Sequence, residues 1–211
     1  MDRNEQYYLT QLLPPQEEWV TELERQAEIE RIPIMDPLGI HFLMQLINMN
    51  KPNTILEIGT AIGYSALRML EANPLAQIVT IERDEKRYHQ ALENIQSQSK
   101  QKQIHVIYGD ALEKSQEIIN RGLFDLMFID AAKGQYQRFF ELYCQCIPSG
   151  GVIVSDNVLF KGYVADSEKI HSRNSKIGQK IRNYNEWLIN HPDFTTTIVP
   201  IGDGVAISIK K

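Results

Sequence analysis

The sequence is poor in cysteine, and this shortage restricts the class of protein. Of its 211 residues only Cys144 and Cys146 are cysteines, and they lie two positions apart. A disulfide between residues so close would be badly strained, and two thiols alone cannot complete a cysteine-rich zinc site. A disulfide-stapled scaffold is therefore excluded, and we expect reduced thiols in a cytoplasmic protein.

Long apolar runs and an excess of basic charge are also missing. No run of about 18 apolar residues exists, so we expect no membrane span and no membrane partner. The first residues lack the apolar core of a signal peptide. Lys and Arg number 22 against 27 Asp and Glu, a net charge of -5. This balance excludes a generally basic nucleic-acid coat but leaves room for a local basic patch.

The chain does contain a regular alternation of apolar strands and amphipathic helices. No repeat or linker divides it, so we expect one domain over residues 1–211, with helices in 1–50 and an alternating core in 51–211. Helical spacing predicts helices within residues 14–32 and 37–50. Further helices are predicted between the strands, at residues 63–71, 85–97, 111–120 and 133–147. The alternation predicts five strands, at residues 54–58, 77–82, 104–108, 124–129 and 151–155.

The end of the chain predicts how the sheet is completed. A helical pattern from about residue 175 to 190 precedes two strand patterns at 194–200 and 205–209. Gly202-Asp203-Gly204 between these two strands is a hairpin signal. The predicted fold is therefore α/β, a parallel sheet covered by helices on both faces and closed by an antiparallel pair. Ligands of such sheets bind outside the carboxyl ends of the strands.

A glycine turn follows the first predicted strand. Gly59 and Gly63 lie four positions apart, and Ala61 stands where a dinucleotide-binding turn has its middle glycine. Close approach of a pyrophosphate is therefore compromised, and Glu57 would repel a phosphate but suit a cation. An acidic residue followed by this glycine spacing is typical of sites for S-adenosylmethionine, which carries a sulfonium and an ammonium. The alternative is a tight strand-to-helix turn with no ligand.

Two further strand ends carry groups suited to the same cofactor. Glu82 ends the second strand, where a carboxylate can accept hydrogen bonds from both hydroxyls of a ribose. Asp110 and Ala111 follow the third strand, where they would meet an adenine edge. Each feature alone is also explained by an ordinary helix-capping acid. Their occurrence on three successive strand ends favours a cofactor site.

Oxygen-bearing side chains follow the fourth and fifth strands. Asp130 ends one, and Asp156 and Asn157 end the other. Adjacent parallel strands bring these groups to one edge of the sheet, and two carboxylates with an amide oxygen form a donor set for Mg²⁺. The alternative is an Asx turn at Asp156 and a helix cap at Asp130. The five histidines show no metal-ligand spacing.

Lys133 lies three residues after Asp130, at the predicted start of a helix. A cation is disfavoured there by the helix dipole, so a purely solvated lysine is a weak explanation. If a substrate hydroxyl binds the metal nearby, Lys133 can take its proton or hold the resulting alkoxide. Lys133 and Asp130 are therefore the candidate catalytic residues.

Together these motifs resemble the metal-dependent catechol and caffeoyl-coenzyme A O-methyltransferase family. The segments that carry the resemblance are residues 55–65, 81–84, 109–111, 128–133, 155–158 and the closing 202–206. The resemblance implies a Rossmann-like class I methyltransferase with a seven-stranded sheet. It also implies that Mg²⁺ is held by Asp130, Asp156 and Asn157, that Lys133 is the base candidate, and that Asp130 serves both metal and cofactor. The other implied cofactor contacts are Met35, Ser65, Glu82, Asp110 and Ala111.

The substrate is less sharply indicated. Ala132 is small where catechol enzymes carry a large aromatic residue, and the extended coenzyme A-binding N-terminus of the plant enzymes is not evident. The overall form, including residues 32–37, most resembles the bacterial branch that methylates 5-hydroxyuridine at the tRNA wobble position to 5-methoxyuridine. Such members are commonly homodimers, so residues 1–50 are expected on the substrate side or at a dimer contact. Small catechol-like phenols are the alternative substrates.

A local basic stretch agrees with an RNA substrate. Residues 161–182 hold six Lys or Arg against two acidic residues, and we expect Lys161, Arg173 and Lys176 to contact phosphates of the anticodon region. The alternative is a solvated helix face. Two other classes remain open at this point. They are an NAD-dependent oxidoreductase, which the missing middle glycine disfavours, and a non-catalytic RNA-binding module.

Overall fold

The structure is a computed structural model that describes residues 3–164 and 173–211. Its strands are β1 (Thr54–Ile58), β2 (Gln77–Glu82), β3 (Ile104–Tyr108), β4 (Leu126–Ile129), β5 (Val152–Ser155), β6 (Phe194–Val199) and β7 (Val205–Lys210). They form one sheet in the order β3-β2-β1-β4-β5-β7-β6. Strands β1 to β5 are parallel, and β7 runs antiparallel to both of its neighbours. The predicted Rossmann-like α/β sheet with an antiparallel C-terminal hairpin is confirmed.

Helices cover both faces of this sheet. They are α1 (Arg3–Gln11), α2 (Glu18–Glu30), α3 (Pro37–Asn50), α4 (Tyr64–Ala72), α5 (Glu85–Ser97), α6 (Ser115–Ile119), α7 (Tyr136–Tyr143) and α8 (Arg173–Ile189). Short 3₁₀ turns occur at Lys133–Gln135, Cys144–Cys146 and Phe160–Gly162. Among the described residues no helix is long and apolar enough to cross a membrane.

The central strands are recognisable in sequence because they are buried on both faces. Every residue of β4 and β5 is buried, and both strands are nearly continuous apolar runs. Edge strand β6 instead carries three threonines and alternates in burial. One core cluster lies under α2 to α5 and another under α7 and α8. Helices α2 and α3 therefore belong to the same hydrophobic core as the sheet.

Several element boundaries differ from the sequence-based expectation. Helix α1 was not predicted, because it contributes little to the core and exposes Tyr7 and Tyr8. The predicted helix from residue 111 to 120 is reduced to α6, because the Asp110 side chain accepts a hydrogen bond from Leu112 N at 2.8 Å and forms a turn there. The single helix predicted from 133 to 147 is α7 flanked by two 3₁₀ turns.

Candidate active site

A cavity of about 340 Å³ opens at the carboxyl ends of β1 to β5. This is within the usual size range of small-molecule pockets, and it lies where the order of the strands reverses. The sequence-predicted residues that line it are Met35, Gly59, Ser65, Glu82, Asp110, Ala111, Asp130, Lys133, Asp156 and Asn157. The topology therefore brings the cofactor candidates and the metal candidates into one cavity.

The turn after β1 passes directly beside the end of β4. Gly59 has φ of +104°, and a Cβ at this position would lie 2.1 Å from the Asp130 carbonyl oxygen. No other residue type tolerates both the backbone conformation and the contact. Gly59 therefore sets the close spacing between the two halves of the cavity. Gly63, by contrast, faces Ile95 and Ala91 of α5 and does not line the cavity.

Glu57 is fully buried beneath the turn and does not reach the cavity wall. Its two carboxylate oxygens accept hydrogen bonds from Ser65 Oγ and Thr80 Oγ1, each at 2.5 Å. Thr80 Oγ1 lies 2.6 Å from Thr60 Oγ1, which extends the network to the turn itself. Burial, opposed by these hydrogen bonds, raises the pKa of Glu57 from its ordinary 4.5 to about 7. In this structure Glu57 thus supports the turn from below.

The buried Glu57 predicts a pH dependence of stability in the ligand-free protein. Its pKa is higher in the folded chain than in the unfolded chain, about 7 against 4.5. Its contribution to the free energy of unfolding is therefore complete at low pH and is lost as the pH rises through about 7. The loss from this residue is at most about 3 kcal/mol.

Urea unfolding at about pH 5 and about pH 8 measures this effect. The wild type is expected to lose stability over the interval, and Glu57→Gln to lose less. The variant keeps part of the dependence, because the pKa values of Asp130 and Asp156 are also raised. Equal losses in the two proteins would show that Glu57 does not titrate in this range.

Glu82 and Asp110 are fixed at the neighbouring strand ends. The Glu82 carboxylate accepts hydrogen bonds from Ala61 N at 2.9 Å and Asp84 N at 2.8 Å. Ala61 lies in the left-handed region with φ of 47°, which aims its amide at Glu82. The Ala111 carbonyl accepts a hydrogen bond from the buried Tyr143 hydroxyl. The Asp110 carboxylate accepts a hydrogen bond from Leu112 N at 2.8 Å, so both carboxylates are held in fixed orientations on the cavity wall.

Asp130 and Asp156 form an acidic pair on the other side of the cavity. Burial raises the pKa of both carboxyls, and repulsion by Asp130 raises that of Asp156 further, while Lys133 opposes the rise at Asp130. Asp156 Oδ2 accepts a hydrogen bond from Asn157 Nδ2 at 2.8 Å. Asp156 Oδ1 is buried and has no hydrogen-bond partner within residues 3–164 and 173–211. A buried carboxylate oxygen without a hydrogen-bond partner lowers the stability of the fold unless a cation or a hydrogen-bond donor reaches it.

Lys133 joins the same cluster from the 3₁₀ turn that precedes α7. Its ammonium donates a hydrogen bond to Asn157 Oδ1 and lies 5.9 Å from the centre of the Phe160 ring. One cation therefore already contacts the amide oxygen of this donor set. The arrangement places an amine beside two carboxylates and an amide, on the wall of a cavity.

This donor set fits a hard divalent cation. Two carboxylates and one amide line the same cavity, and Asp156 Oδ1, which has no hydrogen-bond partner among the described residues, is available as a ligand. Within the described chain no group of three His, Cys, Asp or Glu side chains could hold a metal ion. Any cation here would therefore need the Asn157 oxygen together with water or substrate oxygens.

The predicted RNA contacts are only partly visible. Lys176 is exposed on α8, whereas the side chains of Lys161 and Arg173 lie outside the described structure. Lys180, which was not singled out as a contact, lies beside the 3₁₀ turn that carries Lys133, because its Nζ is 3.5 Å from the position of a Cβ on Gly134. Lys180 is one of the six basic residues counted in 161–182, and its helical spacing from Lys176 places the two lysines on one face of α8.

A family model described as O-methyltransferase matches residues 15–211 of the chain. The chain belongs to this family. The catechol O-methyltransferase of Niastella koreensis is 31% identical over 178 residues, covering 81% of this chain and 79% of that protein. The caffeoyl-CoA O-methyltransferase of Stellaria longipes is 27% identical over 215 residues, covering 95% and 87%.

Solved structures of O-methyltransferases superpose over the whole chain. A Staphylococcus aureus protein provisionally described as a caffeoyl-CoA O-methyltransferase is 40% identical with a TM-score of 0.92, covering 100% of both chains. An O-methyltransferase from Bacillus cereus in complex with SAH is 28% identical with a TM-score of 0.86, covering 99% and 97%. The prediction of an S-adenosylmethionine-dependent O-methyltransferase is thereby confirmed at the level of the family.

Proposed function

We propose that this O-methyltransferase uses S-adenosylmethionine and Mg²⁺ to methylate the 5-hydroxyl of 5-hydroxyuridine at the tRNA wobble position, giving 5-methoxyuridine. The observation that carries the metal-dependent chemistry is the buried Asp156 Oδ1, which has no hydrogen-bond partner among the described residues. It lies with Asp130, Asn157 and Lys133 in the cavity that most of the predicted cofactor residues also line. An acidic pair in which a buried carboxylate oxygen accepts no hydrogen bond from the described residues is suited to bind a divalent cation.

The cofactor is assigned to the side of the cavity formed by β1 to β3. Met35, Gly59 and Ser65 line the cavity together with Glu82 and Asp110, and Glu82 is bound to the glycine turn through Ala61 N. The fixed Glu82 carboxylate is suited to ribose hydroxyls, and Asp110 with Ala111 to the adenine edge. Glu57 and Gly63 act on the cofactor through the turn that they shape, since neither lines the cavity.

The metal is assigned to Asp130, Asp156 and Asn157, completed by water and substrate oxygens. When bound, the cation lowers the pKa of the substrate hydroxyl and orients it. The amine of Lys133 accepts the hydroxyl proton or, as an ammonium, holds the alkoxide. The methyl group leaves the sulfonium sulfur, which becomes a neutral thioether, and bonds to the hydroxyl oxygen. The chain contributes mainly by aligning donor and acceptor.

Two adjacent oxygens on the substrate would satisfy such a site. The 5-hydroxyl and 4-carbonyl of 5-hydroxyuridine are adjacent, and an anticodon base is unpaired and can be splayed into a pocket. The small, exposed Ala132 leaves the mouth of the cavity open. The exposed Lys176 and Lys180 lie on α8, which packs against the 3₁₀ turn that carries Lys133. These lysines suit phosphates on either side of the base.

Small catechol-like phenols are the second candidate substrates. Catechol oxygens are adjacent in the same way, and the relatives described above include a catechol enzyme. We further propose that the chain is a single cytoplasmic domain that forms a homodimer, with residues 1–50 on the substrate side or at the dimer contact.

Charge removal on the basic stretch separates the two substrates. Replacing Lys161, Arg173 and Lys176 with alanine is expected to make the salt dependence of tRNA binding shallower. The slope of log affinity against log salt concentration should become less negative by about 2, since each phosphate contact contributes about −0.7 on a single strand. Catechol methylation is expected to stay unchanged. The matched control removes three lysines at the opposite end of the sheet, Lys51, Lys100 and Lys102. RNA methylation that survives the first triple substitution would refute the phosphate contacts.

A further inference from the structure

The turn between β6 and β7, residues 201–204, lies outside the cavity wall but contacts two elements of the site. On one side a Cβ at Gly202 would lie 2.0 Å from Asp36 Oδ2, next to the cofactor candidate Met35. On the other side a Cβ at Gly204 would lie 2.4 Å from Leu159 Cγ. The turn therefore fits closely between the segment before α3 and the segment that follows β5.

The backbone of the turn holds the segment that carries Asn157. Val158 N donates to the Gly204 carbonyl at 2.9 Å. Leu159 N and Phe160 N both donate to the Asp203 carbonyl, at 2.7 Å and 3.2 Å. The three consecutive backbone amides of residues 158–160 thus donate hydrogen bonds to two carbonyls of the turn. From the opposite side, Asn185 Nδ2 donates to the Val158 carbonyl at 2.7 Å.

This segment needs external support because its backbone is strained. Phe160 has φ of 40°, in the left-handed region that bulky residues rarely adopt, and Asn157 has φ of 56°, in the same region, which asparagine adopts more readily than other residues with side chains. Such conformations persist where the surroundings over-determine them, and they cluster at functional sites. Both residues face Lys133, Asn157 through its Oδ1 and Phe160 through its ring.

We propose that residues 201–204 are the positioning element for Asn157, and that glycine at position 204 sets the geometry of the donor set. Gly204 has φ of +88° and lies against Leu159, so a side chain here would push residues 157–160 off the turn. The Asn157 oxygen would then move away from Asp130 and Asp156. This proposal rests on the proposed metal site, and the turn acts only through residues 157–160.

Binding of Mn²⁺, followed by electron paramagnetic resonance, tests the proposal without any turnover. Gly204→Ala is expected to weaken Mn²⁺ binding by about 10-fold or more, the usual effect of removing support behind a metal ligand. Affinity for S-adenosylhomocysteine, measured by calorimetry on the same samples, should stay close to that of the wild type. A purely structural defect would lower both affinities.

Gly150→Ala is the matched control. Gly150 has φ of +81°, close to that of Gly204, but within the part of the chain that the structure describes no heavy atom beyond its chain neighbours lies within 4 Å of a Cβ built there. It therefore carries the same backbone strain without the contact, and Mn²⁺ binding is expected to stay unchanged. Equal losses in the two variants would overturn the proposal, as would normal Mn²⁺ binding by Gly204→Ala.

Two further measurements keep the outcome decisive. If Gly204→Ala does not fold, Gly202→Ala replaces it, since a Cβ there would lie 2.0 Å from Asp36 Oδ2 and would displace the same turn. Unchanged Mn²⁺ binding by a folded Gly202→Ala would refute the positioning of Asn157 by the turn. If the wild type binds no Mn²⁺, or if Asp156→Asn binds it equally well, the proposed metal site itself fails. The failure of the site is thereby distinguished from the failure of the turn.

Discussion

Replacing Asp156 with asparagine is expected to lower methyl transfer by about 10²–10³-fold, the range for removing one fixed electrostatic group from an active site. Asparagine keeps the shape of the side chain and can still accept the hydrogen bond from Asn157 Nδ2. It removes the charge that would hold the cation at the unpartnered Oδ1. The loss should therefore be in the rate of methyl transfer at saturating cofactor, measured with labelled S-adenosylmethionine.

Stability and cofactor binding separate this effect from misfolding. Burial and Asp130 raise the pKa of Asp156, so the ionised carboxylate destabilises the metal-free fold at neutral pH. The variant is consequently expected to unfold at the same or a higher urea concentration than the wild type, and to bind S-adenosylhomocysteine normally. Asp193→Asn, at an exposed position, is the matched control with full activity. Full activity in Asp156→Asn would refute the metal assignment.

Replacing Lys133 with methionine is expected to lower the turnover rate by about 10²–10⁴-fold, the usual contribution of a positioned acid or base. Methionine keeps much of the apolar stem but cannot bind Asn157 Oδ1 or accept a proton. The Michaelis constant for S-adenosylmethionine should change little, since the contacts of the Lys133 ammonium are Asn157 and the Phe160 ring. Steady-state kinetics with either acceptor measure both constants.

Lys133→Arg distinguishes the two roles of this lysine. Arginine stays protonated and cannot act as a base, but it keeps the positive charge. Activity well above that of Lys133→Met would assign Lys133 to holding the alkoxide, whereas equal loss in both variants would assign it to proton transfer. Lys102→Met, at an exposed lysine, is expected to leave the rate unchanged. A Lys133→Met variant with wild-type turnover would contradict both roles.

The parallel core could be predicted because its signals are local. β1 and β5 are short apolar runs bounded by turn residues, and buried parallel strands read in this way. Once their order along the chain is known, the rule that ligands bind at the carboxyl ends places Glu82, Asp130 and Asp156 together. The candidate site residues at the strand ends could thus be predicted from one sequence.

Long-range partners could not be predicted. The orientation of Glu57 away from the cavity depends on Ser65 and Thr80, and the latter lies on a neighbouring strand. The fit of Gly204 against Leu159 joins residues 45 positions apart, and no periodicity marks it. Helix α1 escaped prediction for a different reason, since it buries too little apolar surface to show a helical pattern.

The most direct test of the account is labelled methyl transfer from S-adenosylmethionine to two acceptors, each with Mg²⁺ or with EDTA. One acceptor is tRNA bearing 5-hydroxyuridine, and the other is a simple catechol. The account predicts EDTA-sensitive labelling of the tRNA well above that of catechol. Labelling of catechol alone would contradict the RNA substrate, and labelling that persists in EDTA would contradict the role of Asp130, Asp156 and Asn157 as metal ligands.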